Sequence, residues 1–139
     1  MNESESIRTM LGMPPRTIAV VGLSEDAAKP SHYVPAYLQQ QGYRILPVNP
    51  SVETVLGEKS YASLTELVAA GHRPDVVNVF RLPKFIPGIV DEMLRLGLEN
   101  LWVQLGIVNA EAAARAEAGG IHVVMDRRII VQYRRLVMG

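Results

Sequence analysis

The sequence predicts an α/β fold, with one mostly parallel sheet of about five strands and helices on both faces. Two features of the chain predict it. Short apolar runs rich in β-branched residues alternate with segments of helical periodicity, and many of these segments end at glycine or proline. The apolar runs are also continuous rather than alternating, which is typical of strands that are covered by helices on both faces.

Five apolar runs are predicted as strands, at residues 17–21, 43–48, 76–80, 101–105 and 121–125. Helical periodicity predicts helices at residues 4–11, 31–41, 63–70, 85–96 and 129–137. A further, alanine-rich helix is expected between a capping Asn109 and Gly119. Strands and helices that alternate at this spacing form right-handed crossovers, so the sheet is expected to be Rossmann-like.

Three shorter features complete the predicted order of elements. Ser63 and Glu66 have the spacing of a capping box, in which each side chain satisfies an amide at the start of a helix. Residues 51–62 carry no clear pattern and are predicted to form a loop. Pro14 and Pro15 are expected to separate the first helix from the first strand.

Length and composition favour a single domain over residues 1–139 and exclude several classes of function. Fourteen basic residues balance fourteen acidic residues, so nucleic acid and anionic membranes are not expected as partners. The chain has no cysteine, which excludes disulfides, thiolate metal sites and cysteine catalysis. The polar N-terminal segment has no apolar run of signal-peptide length, so the cytoplasm is the expected location.

Ligands of such sheets bind beyond the carboxyl ends of the strands, where the winding direction reverses. The first loop at this edge contains the candidate phosphate-binding residues Gly22, Leu23, Ser24, Lys29, Pro30 and Ser31. A tight turn here would be followed by free amides at a helix N-terminus, which attract phosphate. Gly22 would also let the backbone pass close to the ligand. The alternative is that Gly22 only permits a turn and Ser31 only caps a helix.

The second loop contains Val48, Asn49 and Pro50 at the end of the second strand, where the ribose of a bound dinucleotide is usually held. A protein that binds NAD usually has an acidic residue here to hold the ribose diol. No carboxylate follows the second strand before Glu53. A nucleotide with a phosphorylated ribose is therefore more plausible than one with a free diol, although Asn49 between two prolines is also a typical turn residue.

The third and fourth loops supply further candidates. Phe80 and Arg81 follow the third strand, and a guanidinium suits phosphate recognition, although a solvated loop is an equal alternative. Gln104 is a polar residue within the apolar run of the fourth strand, and Gly106 is a second candidate turn beside the cleft. Trp102 is expected in the core.

The remaining polar residues predict no chemistry of their own. The segment 126–128, Asp-Arg-Arg, is interpreted as an internal ion pair first and a ligand contact second. The three histidines are isolated in sequence, and only His32 lies in the first loop, so no metal site is predicted. Serines are present without a strained G-x-S-x-G turn, so no catalytic residues are predicted.

A family resemblance is carried, in this order, by the strings IAVVGLSEDAAKPSHYVPAYLQQQGYRILPVNP, VVNVFRLP, LWVQLGIVN and VVMDR. They resemble the small stand-alone CoA-binding-domain proteins of bacteria and archaea, across nearly the whole chain. That family is similar to the N-terminal CoA-binding domain of the succinyl-CoA synthetase α subunit and of ADP-forming acyl-CoA synthetases. The resemblance implies a Rossmann-like fold in which the loop from Gly22 to Ser31 holds the phosphates of coenzyme A.

The same resemblance implies that Val48 to Pro50 lie near the adenosine end and that Phe80 and Arg81 line the other side. The 3′-phosphate of coenzyme A agrees with the missing diol-binding carboxylate. Two departures limit the transfer of function. The chain lacks the other domains of the synthetases, so their reaction is not expected here. Arg128 stands where many family members have a cysteine, so no role of that thiol is expected.

The leading hypothesis is therefore a non-enzymatic module that binds coenzyme A or an acyl-CoA. An NAD(P)-binding sensor or oxidoreductase-like domain is the second hypothesis, and an interaction subunit with a vestigial pocket is the third. A nucleotide-like small molecule is the expected partner, and no protein partner is predicted.

Overall fold

A central parallel sheet organises the fold in the computed structural model, which describes residues 2–12 and 16–138. The strands are β1 (Thr17–Val21), β2 (Arg44–Val48), β3 (Thr54–Val55), β4 (Glu58–Lys59), β5 (Val76–Val79), β6 (Asn100–Val103) and β7 (His122–Met125). The main sheet has the order β2-β1-β5-β6-β7 and all its neighbouring pairs are parallel. The predicted five-stranded parallel sheet is thus confirmed.

Six helices of the described part of the chain cover the two faces of this sheet. They are α1 (Glu3–Leu11), α2 (Pro30–Gln40), α3 (Leu64–Ala69), α4 (Ile86–Leu96), α5 (Ala110–Ala118) and α6 (Ile129–Tyr133). Buried side chains of α1, α2 and α6 form one apolar cluster with the sheet, and those of α3, α4 and α5 form the other. No described helix is both long and apolar enough to span a membrane.

Strand alternation explains how one sheet supplies both cores. In β1, Ile18 and Val20 face the α1, α2 and α6 side, whereas Ala19 faces the α3, α4 and α5 side. Trp102 on β6 is fully buried, as predicted, and its indole Nε1 donates to the Arg127 carbonyl oxygen at 2.9 Å. That bond satisfies the one polar atom of the ring, so the large side chain is buried without an unpaired donor.

Tyr43 is a buried polar anchor on the same side as α1. Its hydroxyl donates to the Leu11 carbonyl oxygen at the end of α1. Its ring also makes an edge contact with Tyr133 of α6. Burial, with a smaller contribution from Tyr133, raises the pKa of Tyr43 from 10.0 to about 12. The phenol is therefore held in its neutral, hydrogen-donating form.

The predicted helix caps are present. Ser63 Oγ accepts from the Glu66 amide at 3.1 Å, and Glu66 Oε2 accepts from the Ala62 amide at 3.1 Å. Asn109 Oδ1 accepts from the Ala112 amide at 3.0 Å and so starts α5. The bonds of Ser63 and Asn109 satisfy amides that the first turn of a helix leaves without partners, and the bond of Glu66 satisfies the amide that precedes the N-cap of α3.

The prediction that residues 51–62 form a loop is wrong. β3 and β4 pair as an antiparallel hairpin, in which Val55 lies opposite Glu58. The connecting Leu56 and Gly57 both have positive φ, of 54° and 75°. A two-residue turn of this kind matches the twist of a hairpin, but it normally has asparagine or aspartate at the first position. A leucine at this position does not indicate a hairpin turn, so the sequence did not predict one.

Several boundaries also differ from the prediction. β5 and β6 end at Val79 and Val103, so Phe80, Gln104 and Leu105 belong to the following loops. A short 3₁₀ turn at Pro83–Phe85 precedes α4, and a π-helical turn at Arg134–Met138 follows α6. The predicted break at Pro14 and Pro15 lies outside the described residues.

Candidate ligand-binding site

A cleft of about 240 Å³ opens at the carboxyl ends of β1 and β2, beside the loop that follows β5. The chain winds from β1 to β2 in one direction and returns to β5 on the other side of β1, so the cleft lies at the switch point of the sheet. Its apolar walls include Val21, Val48, Leu64 and Ile89. Ser63, Arg81 and Glu92 are its polar side chains.

The turn after β1 is built around Gly22. Its φ is +89°, as the predicted tight turn requires, and its amide donates to the Val48 carbonyl oxygen at 2.9 Å. A Cβ at this position would lie 2.8 Å from the Phe80 carbonyl oxygen and 3.1 Å from Arg81 Cδ. The close neighbour that requires glycine is therefore the backbone after β5, and whether Gly22 also lets a ligand approach stays a prediction.

Hydrogen bonds within the loop close it into a compact turn. The Ser24 amide donates to the Ser31 carbonyl oxygen at 3.1 Å, and Ser24 Oγ accepts from the Asp26 amide at 3.0 Å. His32 Nδ1 lies 2.7 Å from the Ser24 carbonyl oxygen. Because a carbonyl only accepts, Nδ1 carries the hydrogen of this bond. The loop therefore keeps its shape through its own polar groups.

The start of α2 presents the donors that the sequence predicted. Lys29 is the N-cap residue, its side chain makes no capping bond, and it is exposed. Pro30 occupies the first helical turn and has no amide hydrogen. Across the described chain, the Ser31 amide has no hydrogen-bond acceptor. That amide and the Lys29 ammonium can therefore bind an anion at the positive end of the helix. The Leu23 side chain is fully buried, so only the Leu23 backbone is available for a contact at this loop.

Asn49 joins the first and second loops. Its Nδ2 donates to the Leu23 carbonyl oxygen at 2.9 Å, and its Oδ1 accepts from the Ser51 amide at 2.9 Å. Its own amide donates to the Tyr61 carbonyl oxygen at 2.8 Å. The turn role that the sequence left open is thus the observed role of this side chain. Val48 and Pro50 on either side of it line the cleft.

Arg81 lies on the third side of the cleft. Its guanidinium stacks over the Phe85 ring, 4.1 Å from the ring centroid, and both side chains line the cleft. No carboxylate of the described residues forms an ion pair with Arg81. A guanidinium that is held by an aromatic ring but lacks a carboxylate can bind a phosphate. Phe80 packs against the α1, α2 and α6 cluster instead and is not a wall of the cleft.

Gln104 and Gly106 are not brought together with the cleft. The Gln104 side chain is 7% exposed, and its Nε2 donates to Asn78 Oδ1 at 2.7 Å. Its Oε1 accepts from the Ile129 amide at 3.5 Å, at the start of α6. Gly106 has a φ of +86°, and its amide donates to Asp126 Oδ1 at 2.7 Å. Both residues support the edge of the sheet near β7, and whether they contact a ligand stays a prediction.

The interpretation of residues 126–128 as an internal ion pair is wrong. Arg127 Nε instead forms an ion pair with Glu3 Oε1 of α1, at 3.0 Å. Asp126 accepts from the Gly106 amide, although its φ of +62° is unusual for a residue other than glycine. The two charges that adjoin in sequence thus serve different contacts.

Sequence reasoning missed the helical wall of the cleft. Ser63 and Leu64 start α3, and Ile89 and Glu92 lie on α4. Glu92 Oε2 accepts from the Thr65 amide at 2.8 Å and from Thr65 Oγ1 at 2.6 Å, which ties α4 to α3. The i, i+3 spacing of Ile89 and Glu92 on a helix that follows a site loop was the available signal.

Comparisons with known proteins identify the family of the chain. A family model described as CoA binding domain matches residues 16–134. The chain is 40% identical over 118 residues to the protein YneT of Bacillus subtilis, covering 85% of each chain. It is 30% identical over 91 residues to the ADP-forming acetate–CoA ligase II of Archaeoglobus fulgidus, covering 62% of this chain and 13% of the ligase.

A solved structure, of a hypothetical protein from Pyrococcus horikoshii, superposes with a TM-score of 0.89 at 32% identity. The match covers 99% of this chain and 94% of that one. Family model, relatives and fold thus agree with the resemblance noted in the sequence. The chain belongs to the CoA-binding domain family.

Proposed function

We propose that this protein binds coenzyme A or an acyl-CoA at the switch-point cleft without transforming it. The observation that carries the proposal is the juxtaposition of a mostly apolar cleft with the Gly22 turn and the Arg81 guanidinium. Coenzyme A has the complementary parts, because it joins an adenine ring to three phosphate groups. Membership of the CoA-binding domain family supports the same ligand.

The adenosine part is assigned to the cleft. Val21, Val48, Leu64 and Ile89 offer apolar surface that a planar purine can bury. Asn49 stands where a diol-binding carboxylate would be, and its side chain is engaged with Leu23 and Ser51. This supports a ligand whose ribose carries a phosphate rather than one that depends on a free diol.

The phosphates are assigned to the start of α2 and to Arg81. The Ser31 amide and the Lys29 ammonium lie at the positive end of an eleven-residue helix. The Gly22 turn brings the start of the first loop against the Phe80 backbone and the Arg81 side chain, so Arg81 lies beside the loop that leads to α2. Donors from both loops suit an extended anion such as a pyrophosphate better than a single small ion.

The geometry of Ser24 and His32 supports binding without chemistry. A catalytic serine requires a base within hydrogen-bond reach of its hydroxyl. Here the His32 ring bonds to the Ser24 carbonyl oxygen, and the Ser24 hydroxyl accepts from the Asp26 amide. Both side chains thus serve the loop that positions the phosphates.

Calorimetric titration with coenzyme A, dephospho-CoA, NAD, NADP and ADP tests the ligand. We expect coenzyme A to bind most tightly, and dephospho-CoA to bind about tenfold more weakly because it lacks one charge-assisted phosphate contact. NAD that binds as tightly as coenzyme A would overturn the assignment and favour an NAD(P)-binding domain. The absence of binding by all five would favour an interaction subunit with a vestigial pocket.

Incubation with acetyl-CoA and succinyl-CoA, with a colorimetric thiol reagent, tests the lack of chemistry. We expect no release of free CoA above the rate in buffer. Steady release that is abolished in Ser24→Ala would show that the protein is an enzyme.

A further inference from the structure

One carboxylate in the otherwise mostly apolar cleft is held in a fixed position. Glu92 lines the cleft from α4, and its Oε2 accepts both from the Thr65 amide at 2.8 Å and from Thr65 Oγ1 at 2.6 Å. Thr65 Oγ1 in turn accepts from Arg95 Nη2 at 2.8 Å. These bonds lock the carboxylate and leave it little rotational freedom to lose when a ligand binds.

The second carboxylate oxygen is available to a ligand. No described residue donates a hydrogen bond to Glu92 Oε1, whereas Oε2 is engaged twice. Among the charged side chains that line the cleft, Arg81 is a donor and is stacked on Phe85. Ionised Glu92 can accept a hydrogen bond but cannot donate one, whereas Arg81 can only donate.

We propose that Glu92 selects the base of the ligand by accepting a hydrogen bond from the exocyclic N6 amine of adenine. The inference rests on the proposed function, since it concerns the base of the bound coenzyme A. An amine hydrogen complements the free lone pairs of Oε1. A base with a carbonyl oxygen or a ring nitrogen lone pair at the same place would face the carboxylate without a hydrogen between them, which costs affinity.

A purely structural role is the competing explanation, because the same carboxylate caps the second residue of α3. The variant Glu92→Gln separates the two roles. Its amide oxygen can still accept from Thr65, while its NH₂ replaces the free acceptor with a donor. Glu66→Gln is the matched control, because Glu66 also caps the start of α3 but does not line the cleft.

The experiment compares the dissociation constants of coenzyme A and 1,N6-etheno-CoA. The etheno bridge removes both hydrogens of N6 and leaves a lone pair there. We expect the wild-type protein to prefer coenzyme A by about tenfold or more, the effect of one hydrogen bond to a charged group. In Glu92→Gln this preference should vanish or reverse, and in Glu66→Gln it should remain.

The outcomes separate this inference from the function on which it rests. A wild-type protein that binds neither compound overturns the proposed function, and the inference with it. A wild-type protein that binds both compounds with equal affinity overturns the inference but not the proposed function. This outcome is measured on the wild-type protein, so it does not depend on whether a variant folds. A Glu92→Gln protein that keeps the full wild-type preference also overturns it, because Glu92 would then only cap α3.

Discussion

Replacing Gly22 with alanine tests whether the turn after β1 is constrained by its own chain. Two costs are expected. A residue other than glycine at φ +89° is strained by about 1–3 kcal/mol. The new methyl group would also lie 2.8 Å from the Phe80 carbonyl oxygen, and displacing packed backbone costs about 1–3 kcal/mol more. We therefore expect Gly22→Ala to lower the free energy of unfolding by about 2–6 kcal/mol.

Gly120→Ala is the matched control for the strain alone. Gly120 has a φ of +92°, but a Cβ there would meet no atom within 4 Å. It should therefore lose only the strain energy, about 1–3 kcal/mol. Guanidinium denaturation followed by the fluorescence of Trp102 measures both variants, because the single tryptophan of the chain is fully buried. The difference between the two variants isolates the contact with Phe80.

The affinity of Gly22→Ala for coenzyme A is the second measurement that tests this prediction. The methyl group also lies 3.1 Å from Arg81 Cδ, so relief of the contact shifts the guanidinium. We expect weaker binding even under conditions in which the variant is fully folded. A Gly22→Ala protein that loses no more stability than Gly120→Ala, or that binds coenzyme A as the wild type does, would refute the reasoning. Valine at position 22 adds further bulk and is a less clean test.

Three further predictions use the same assays. Lys29→Ala should weaken the binding of coenzyme A by about 0.5–1 kcal/mol at low salt, because the ammonium is exposed, and should leave the denaturation midpoint unchanged. Asn49→Ala should cost about 1–3 kcal/mol of stability and also weaken binding, because the Leu23 carbonyl loses its donor; wild-type stability would contradict this. The wild-type protein should lose stability at high pH through Tyr43, and Tyr43→Phe should not show this loss. The raised pKa of Tyr43 stabilises the fold below pH 10, and that stability falls by about 1.4 kcal/mol per pH unit between pH 10 and about 12. Equal pH slopes for wild type and variant would contradict it.

The order of elements was predictable because it depends on short-range patterns. Each of the five apolar runs became a strand, and glycines stopped the helices as expected, as at Gly97 after α4. The ends of β5 and β6 were not predictable, since Phe80 and Leu105 continue the apolar pattern after pairing stops. The hairpin was missed because its turn has leucine at a positive φ, which local preferences disfavour.

The site was predictable as far as the backbone decides it. The rule that ligands bind at the carboxyl edge predicted candidates at Val48 and Arg81, and both line one cleft, with Gly22 in the turn beside Arg81. The same rule does not say where a side chain points. Gln104 turns inward to Asn78, and Phe80 packs into the core, although both follow strands at the same edge. Glu92 was missed because its i, i+3 spacing with Ile89 indicates a shared helix face, but not that this face packs on α3 beside the cleft.

Hydrogen bonds tie the loops of the candidate site to one another. The Asn49 side chain ties the second loop to the first, and the Gly22 amide ties the first loop to β2. The Asn109 side chain donates from Nδ2 to the Pro83 carbonyl oxygen and links the third loop to the start of α5. Ordering of loops on binding therefore costs little, which favours affinity. Substitution of a residue that links two loops, such as Asn49, is therefore expected to lower both stability and affinity. Substitution of Lys29, whose side chain makes no capping bond, is expected to lower affinity alone.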